Sequence, residues 1–315
     1  THNCNICGSP ELVEIFATRK MPLTGLYLEK PNLQNELCND QTLLHCEECG
    51  HGQLKYIISP KDLYDNSYKH RSTESTISFT GNDYFYNYLN EITQGRDNFK
   101  SILEVGCNDL VLIKKIQSIG SRIVGIDPIW HGKDFSYNNK TEIVGCFVDE
   151  ISQHLENTLK PDLILSAHTF EHVDKTFEQF SKLVNIASDD CLFLIEMPSY
   201  DTLLKSGRFD QVFHQHLQYI CLNSMITLIN RLGCEYVGHK YNYSYWGGTL
   251  LFSFRKNKFN QNVNNPKFEI NNAPKVKSKF NNFKCKLSKD LELIIDTKEP
   301  VYGFGAAQML PIIAH

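Results

Sequence analysis

The sequence predicts an α/β protein built on a mainly parallel sheet, preceded by a small metal-binding module and followed by the opening of a second α/β unit. Three observations predict it. Between Phe99 and Phe254, short apolar runs alternate with helical patterns, as parallel strands joined by crossover helices require. Two C-x-x-C pairs, Cys4-Asn5-Ile6-Cys7 and Cys46-Glu47-Glu48-Cys49, stand in the first fifty residues. Near the C-terminus, Tyr302-Gly303-Phe304-Gly305-Ala306-Ala307 has the form of a strand and glycine turn opening a helix, so the chain reads as a truncated form of a longer protein. The composition agrees: 315 residues, 41% hydrophobic and 11% aromatic, give enough apolar surface for a full core and exclude disorder as the main theme.

The first region, residues 1–60, is read as a zinc-binding module. A C-x-x-C turn brings two thiolates to one tetrahedral ion, and two such turns close a four-sulfur shell. Gly8 and Gly50 follow the pairs, as tight knuckles need residues free to take positive φ. A closed shell of Cys4, Cys7, Cys46 and Cys49 is structural, since catalysis at zinc needs an open position. Cys38, His45 and His51 lie close by, but such a shell needs none of them. A single pair would fit a redox dithiol as well, whereas the doublet favours zinc. Residues 61–98 form a Tyr-rich connector, helical over Tyr84–Ile92 with Phe85, Tyr88, Leu89 and Ile92 on one face. Tyr64 and Tyr68 fall in a polar, loop-like stretch, and Tyr68 is a candidate to face a ligand.

Residues 99–254 hold the sheet. Ser101–Val105 reads as the first strand, Gly106–Asp109 as a turn, Leu110–Ile119 as a helix and Arg122–Ile126 as the second strand. Asp162–Ser166 and Cys191–Ile195 add strands, with Lys175–Ala187 helical between them. Gly247 and Gly248 make either a hairpin turn or a substrate contact. Residues 255–315 open with an Asn- and Lys-crowded stretch through Lys286, read as an exposed connector. Phe280, Phe283, Leu287, Leu291 and Ile294 then recur at helical spacing before the glycine turn.

The chemistry is expected where the strands end. A strand closing on Glu104-Val105-Gly106 and a second closing on Asp127 form half of a nucleotide-binding crevice. A small residue admits the ligand to the backbone, and the second carboxylate accepts from ribose hydroxyls. The glycine pattern of a dinucleotide site is missing, because Asn108 and Val111 stand where further glycines would be. That disfavours NAD. An acidic strand end suits S-adenosylmethionine, which is cationic, bears a nucleoside and has no phosphate to cradle. Glu196, closing an apolar strand before Pro198, is a crevice-facing carboxylate suited to holding a neighbouring histidine.

At these residues the chain resembles the zinc-containing sugar C-methyltransferases, which act on nucleotide-linked keto-deoxysugars. The resemblance spans nearly the whole chain. It rests on the four cysteines, Leu103-Glu104-Val105-Gly106-Cys107-Asn108-Asp109, Phe170-Glu171-His172-Val173, Glu196-Met197-Pro198, Phe213-His214-Gln215-His216-Leu217 and Gly247-Gly248-Thr249-Leu250. It implies a Rossmann-like class I methyltransferase domain behind a Cys4 zinc module, with the start of a C-terminal Rossmann-like domain. It also implies S-adenosylmethionine as cofactor, bound through Glu104, Gly106, Asn108, Asp127, Pro128, Ser166 and His168. The implied reaction places a methyl group on a carbon next to a ketone, after a base removes that carbon's proton. By match to the family motif His216 is the base, with His172 and His214 as further candidates, and Glu196 and Tyr68 completing the catalytic set.

Two residues depart from the family pattern. Phe213 and Gln215 stand where the family has Tyr and Glu, which removes a phenol for the enolate and a carboxylate for the neighbouring histidine. Methylation of a sugar hydroxyl, or an inactive paralogue that still binds a sugar nucleotide, are therefore the alternatives. Leu110 also replaces a usual glycine and is expected to narrow the cofactor loop.

Other function classes fit poorly. Acidic residues number 36 against 32 basic, a net charge of −4, which offers no whole-chain attraction to nucleic acid or anionic membrane. The cysteine module has Arg19, Lys20 and Lys30 against Glu11, Glu14, Glu29, Glu36, Asp40, Glu47 and Glu48, the wrong sign for phosphate. No apolar run approaches the roughly 20 residues of a bilayer helix. With no basic-then-apolar leader, the eleven cysteines are read for a reducing cytoplasm. The expected partner is a nucleotide-sugar small molecule.

Overall fold

The structure, a computed structural model, describes residues 2–24, 38–63, 75–151, 159–257 and 264–296, together with position 313. Tyr64, Tyr68 and the 302–307 glycine turn lie outside the described residues.

The chain opens with β1 (Leu12–Pro22), β2 (Cys38–Cys46) and β3 (Gly52–Leu54). Helix α1 (Thr76–Thr93) follows, capped by Ser75, whose side chain accepts from the Ser78 amide. Then come β4 (Phe99–Val105), α2 (Val111–Lys115), β5 (Gly120–Ile126), β6 (Phe135–Asn138), β7 (Thr141–Val144), β8 (Leu163–Ala167), α3 (Thr176–Ile186), β9 (Leu192–Pro198) and α4 (Tyr200–Ser206). β10 (Gln218–Tyr219), α5 (Leu222–Arg231), β11 (Cys234–Asn242), β12 (Thr249–Lys256) and α6 (Ala273–Asp296) follow.

Eight strands form one sheet in the order β11-β12-β9-β8-β4-β5-β7-β6. β7, β5, β4, β8 and β9 run parallel, while β12 is antiparallel to β9 and β11 to β12. Strand order reverses at β4, with β5 on one side and β8 on the other. The ligand crevice of such a sheet opens at the carboxyl ends of those strands. Both faces are covered, so β4 is buried almost throughout: Ile102, Leu103 and Val105 have no exposed surface. Each such side chain contributes about 1.5–3 kcal/mol. The face of α1 carrying Phe85, Tyr88 and Leu89 packs with Phe99, Ile102 and Ile123, and Ile92 is partly buried beside them, as its spacing predicts.

The cysteine module has its own sheet, β1-β2-β3-β10. Its fourth strand comes from far along the chain: Gln218 pairs with Gln53 and Tyr219 with Gly52. Asn5 Nδ2 and His51 Nε2 both reach Gln218 Oε1, at 3.3 and 2.9 Å, and Gln218 Nε2 donates to Val173 O at 3.0 Å. The module is thus stitched to the segment that follows Phe213–Leu217.

Two expectations are corrected. The helix read over Leu110–Ile119 is only α2, because residues 116–119 turn to bring the chain back to β5 at Gly120. The Asn-rich stretch is not simply an exposed connector. Asn265 Oδ1 accepts from the Tyr236 amide at 2.8 Å and its Nδ2 donates to Cys234 O at 2.9 Å; His45 Nε2 donates to Asn271 O at 2.6 Å. Helix α6 begins at Ala273, its first amide held by Glu47 Oε1 at 2.9 Å, and Ala273 and Val276 are buried. Phe280 stacks on Phe16 at 4.2 Å.

Candidate functional site

The cofactor crevice is built from the turn after β4 and the end of β5. Gly106 has φ +80°, and a Cβ there would lie 1.9 Å from Thr169 Oγ1, so only glycine fits. Asn108 and Leu110 also lie in the left-handed region, at φ 40° and 70°. Asparagine adopts it readily, whereas Leu110 bears a cost of about 1–2 kcal/mol. Leu110 turns its side chain into the core beside Leu112 and Ile113.

Asp127 accepts from the Asn108 amide through Oδ2 at 2.8 Å and from the Ile129 amide through Oδ1 at 3.0 Å. A carboxylate accepts about four hydrogen bonds, so these two orient it. Pro128 opens the 3₁₀ turn Pro128–Trp130 that supplies the second of those amides. Trp130 Nε1 donates to Asn108 O at 2.8 Å and ties the two loops together. Sequence reasoning missed Trp130, since nothing in its spacing marks it. Glu104 is buried, and burial together with the neighbouring Asp127 raises its carboxyl well above the ordinary range. Its Oε2 has no hydrogen-bond partner. Ser166, expected at the cofactor, donates its hydroxyl to Val105 O at 2.8 Å and joins β8 to β4.

Beside this crevice, the turn after β8 assembles a histidine cluster around Glu171. Glu171 is 2% exposed; its Oε1 lies 3.3 Å from His168 Nδ1 and 3.7 Å from His172 Nε2. His172 Nδ1 donates to Gln215 O at 2.7 Å, and the His172 and His216 rings meet edge to face at 5.0 Å. Phe213 packs on His216 at 4.2 Å. The groups tune one another. Burial, then His172, pushes His216 down to about 3, so its imidazole is neutral near pH 7. Burial would raise Glu171, but His172, His168 and His216 outweigh it and hold the carboxylate at about 2. Burial opposes the charge of His168, yet Glu171 and Glu196 raise it overall. Glu196 sits at the end of β9, raised by burial, with Oε1 accepting from Thr249 Oγ1 at 2.6 Å.

The predicted catalytic set is brought together only in part. His172, His216 and Glu196 gather with His168, which sequence reasoning had assigned to the cofactor. His214 points the other way: its Nε2 meets Asn39 O at 3.1 Å, on β2. Tyr219 is buried and its hydroxyl accepts from the Phe213 amide at 3.2 Å, while Tyr243 is exposed. Tyr245 stands edge-on to His168 at 4.7 Å. Gly247 and Gly248 lie in the turn between β11 and β12.

At the N-terminus the four sulfurs of Cys4, Cys7, Cys46 and Cys49 lie within 4.8 Å of one another. The Cys4–Cys49 and Cys7–Cys46 separations are 3.6 and 3.5 Å. A tetrahedral zinc shell requires ~3.8 Å. His45 and His51 spend their Nε2 atoms on Asn271 and Gln218, as a four-sulfur shell allows.

Comparison with known proteins matches residues 83–239 to the family described as "Methyltransferase domain" and residues 4–64 to "Putative zinc binding domain". The chain carries a methyltransferase domain. The zinc-binding match covers the four cysteines, whose sulfurs are placed to share one metal ion. The methyltransferase domain has the class I strand order already described. The chain is 22% identical over 237 residues to C-methyltransferase NovU of Streptomyces niveus, covering 74% of this chain and 56% of that protein. It therefore spans a little over half the length of that relative. Similar solved structures include N-methyltransferase NodS from Bradyrhizobium japonicum WM9 in complex with S-adenosyl-L-homocysteine, at 12% identity and TM-score 0.42, over 57% of this chain and 88% of that one. Magnesium protoporphyrin IX methyltransferase from Synechocystis PCC 6803 with bound SAM shares 9% identity at TM-score 0.43, over 57% and 81%.

The residues of the methyltransferase domain fit S-adenosylmethionine. A buried carboxyl oxygen without a partner on Glu104, beside the second carboxylate of Asp127, favours a ligand that is cationic and presents hydroxyls. No helix among the described residues is long and apolar enough to cross a membrane.

Proposed function

We propose that the methyltransferase domain methylates a carbon next to the ketone of a nucleotide-linked sugar, with His216 as the base. The observation that carries this reading is a buried His216 packed on His172, which stands beside the buried Glu171 carboxylate at the edge of the cofactor crevice. S-adenosylmethionine supplies, when bound, an electrophilic methyl group on a sulfonium. Glu104 and Asp127 would hold it, the first facing its positive charge and the second its ribose. His216 then removes the proton next to the ketone, and Glu171 stabilises the imidazolium that results. His172 is fixed beside them by the Gln215 carbonyl and is partly open to solvent. Glu171 thereby supplies the carboxylate that Gln215 lacks.

The likeness to a C-methyltransferase and the family resemblance support the sugar ketone as substrate. A second reading, methylation of a sugar hydroxyl, is favoured by Phe213, which leaves no phenol at that position. Incubation with nucleoside-diphosphate-linked keto-deoxysugars in D₂O separates them. Exchange of the hydrogen next to the ketone, lost in His216→Asn, is expected for carbon methylation. A methyl group found on oxygen by NMR of the product would establish the hydroxyl reading, and neither methyl transfer nor exchange would mark an inactive sugar-nucleotide-binding paralogue.

A further inference from the structure

We propose that Glu171, His172 and His216 form a second metal site, for a divalent transition ion, separate from the four cysteines. Their ligand atoms, one carboxylate oxygen and one nitrogen from each ring, all lie within 4.8 Å of one another. Two imidazoles and one carboxylate are the donor set of open, three-ligand sites for zinc and related ions.

The hydrogen bonds around the cluster favour a cation there. A carbonyl oxygen only accepts, so the His172 Nδ1 that faces Gln215 O at 2.7 Å carries a proton. Its Nε2 then faces the Glu171 carboxylate at 3.7 Å. A ring N–H given to a backbone carbonyl is also how metal-bound histidines are oriented. Independently, Glu171 Oε2 is buried with no hydrogen-bond partner, although its sister oxygen is already engaged by His168. The side chains of His168 and His172 retain 19% and 21% exposure, which leaves an entry path.

A metal ion here would occupy the His216 ring nitrogen that takes up the substrate's proton. The ion is therefore inhibitory, a consequence that rests on His216 being the base; the site itself rests on geometry alone. Tag-free, zinc-replete protein titrated with Co²⁺ tests both. One equivalent is expected to bind with visible d–d bands and no thiolate charge-transfer band. Glu171→Gln and His172→Asn should each weaken it about tenfold or more while elemental analysis still finds the cysteine-bound zinc. No saturable uptake, or uptake that survives both substitutions, would overturn the site. Methyl transfer is expected to fall as cobalt fills it. Cobalt bound there with turnover unchanged would keep the site and remove His216 as the base.

Discussion

At the scale of single residues, His216 and His214 are two positions apart yet face different surroundings. His216→Asn is expected to lower kcat by about 10²–10⁴-fold with binding of S-adenosylhomocysteine unchanged. His214→Ala should leave kcat near wild type and show its effect in the melting temperature. Equal losses of turnover in both would contradict the assignment. Glu104 yields a prediction with a sign. Its folded pKa is raised, so the native state holds this proton more tightly than the unfolded chain does. The stability that proton brings is fully present below the ordinary carboxyl range and is lost as pH rises through the folded value. Glu104→Gln should therefore raise the melting temperature of the ligand-free protein at neutral pH, by a margin that shrinks on acidification, while weakening the cofactor. Residue types at the strand ends made Glu104 and Asp127 legible in the sequence. Glu171 was visible only as part of a motif, because its role depends on three histidines whose convergence the sequence does not encode locally. Trp130 and Tyr245 act through contacts between loops, and no spacing rule marks them.

At the scale of elements, the crevice depends on how tightly the turn after β4 passes the turn after β8. Gly106→Ala would need a left-handed backbone, about 1–2 kcal/mol, and would press on Thr169, about 1–3 kcal/mol more. A loss of about 2–5 kcal/mol in unfolding free energy, read as a lowered denaturant midpoint, is expected, and an unchanged midpoint would mean the turn can move aside. The apolar runs of β4, β5, β8 and β9 were readable because strands buried on both faces are continuously hydrophobic. Helix boundaries were harder to read. α2 stops early because the chain must return to β5, and α6 starts early because Glu47, from the cysteine module, holds its first amide. Both causes lie outside the helix concerned.

At the scale of the whole molecule, the zinc module is joined to the site through β10. The strand begins two residues after His216, pairs with β3, and is preceded by Leu217, whose amide donates to Glu171 O at 2.7 Å. The sequence revealed the four-cysteine shell through its spacing, but not this pairing, which links residues about 165 apart and rests on shape rather than motif. Structural zinc contributes on the order of 10 kcal/mol to folding. Verified zinc removal should therefore unfold β1–β3, expose the β10 amides to hydrogen exchange and abolish turnover, although the four cysteines are a cluster separate from Glu171, His172 and His216. An unchanged melt and unchanged exchange would dissociate the module from the site.

The central claim is that the ends of β4 and β5 hold S-adenosylmethionine, and calorimetric titration of zinc-replete protein with S-adenosylhomocysteine tests it most directly, with NAD as control. Saturable binding at one site, absent for NAD and lost in Asp127→Ala, is the predicted result. No binding, or binding that Asp127→Ala leaves intact, would contradict it.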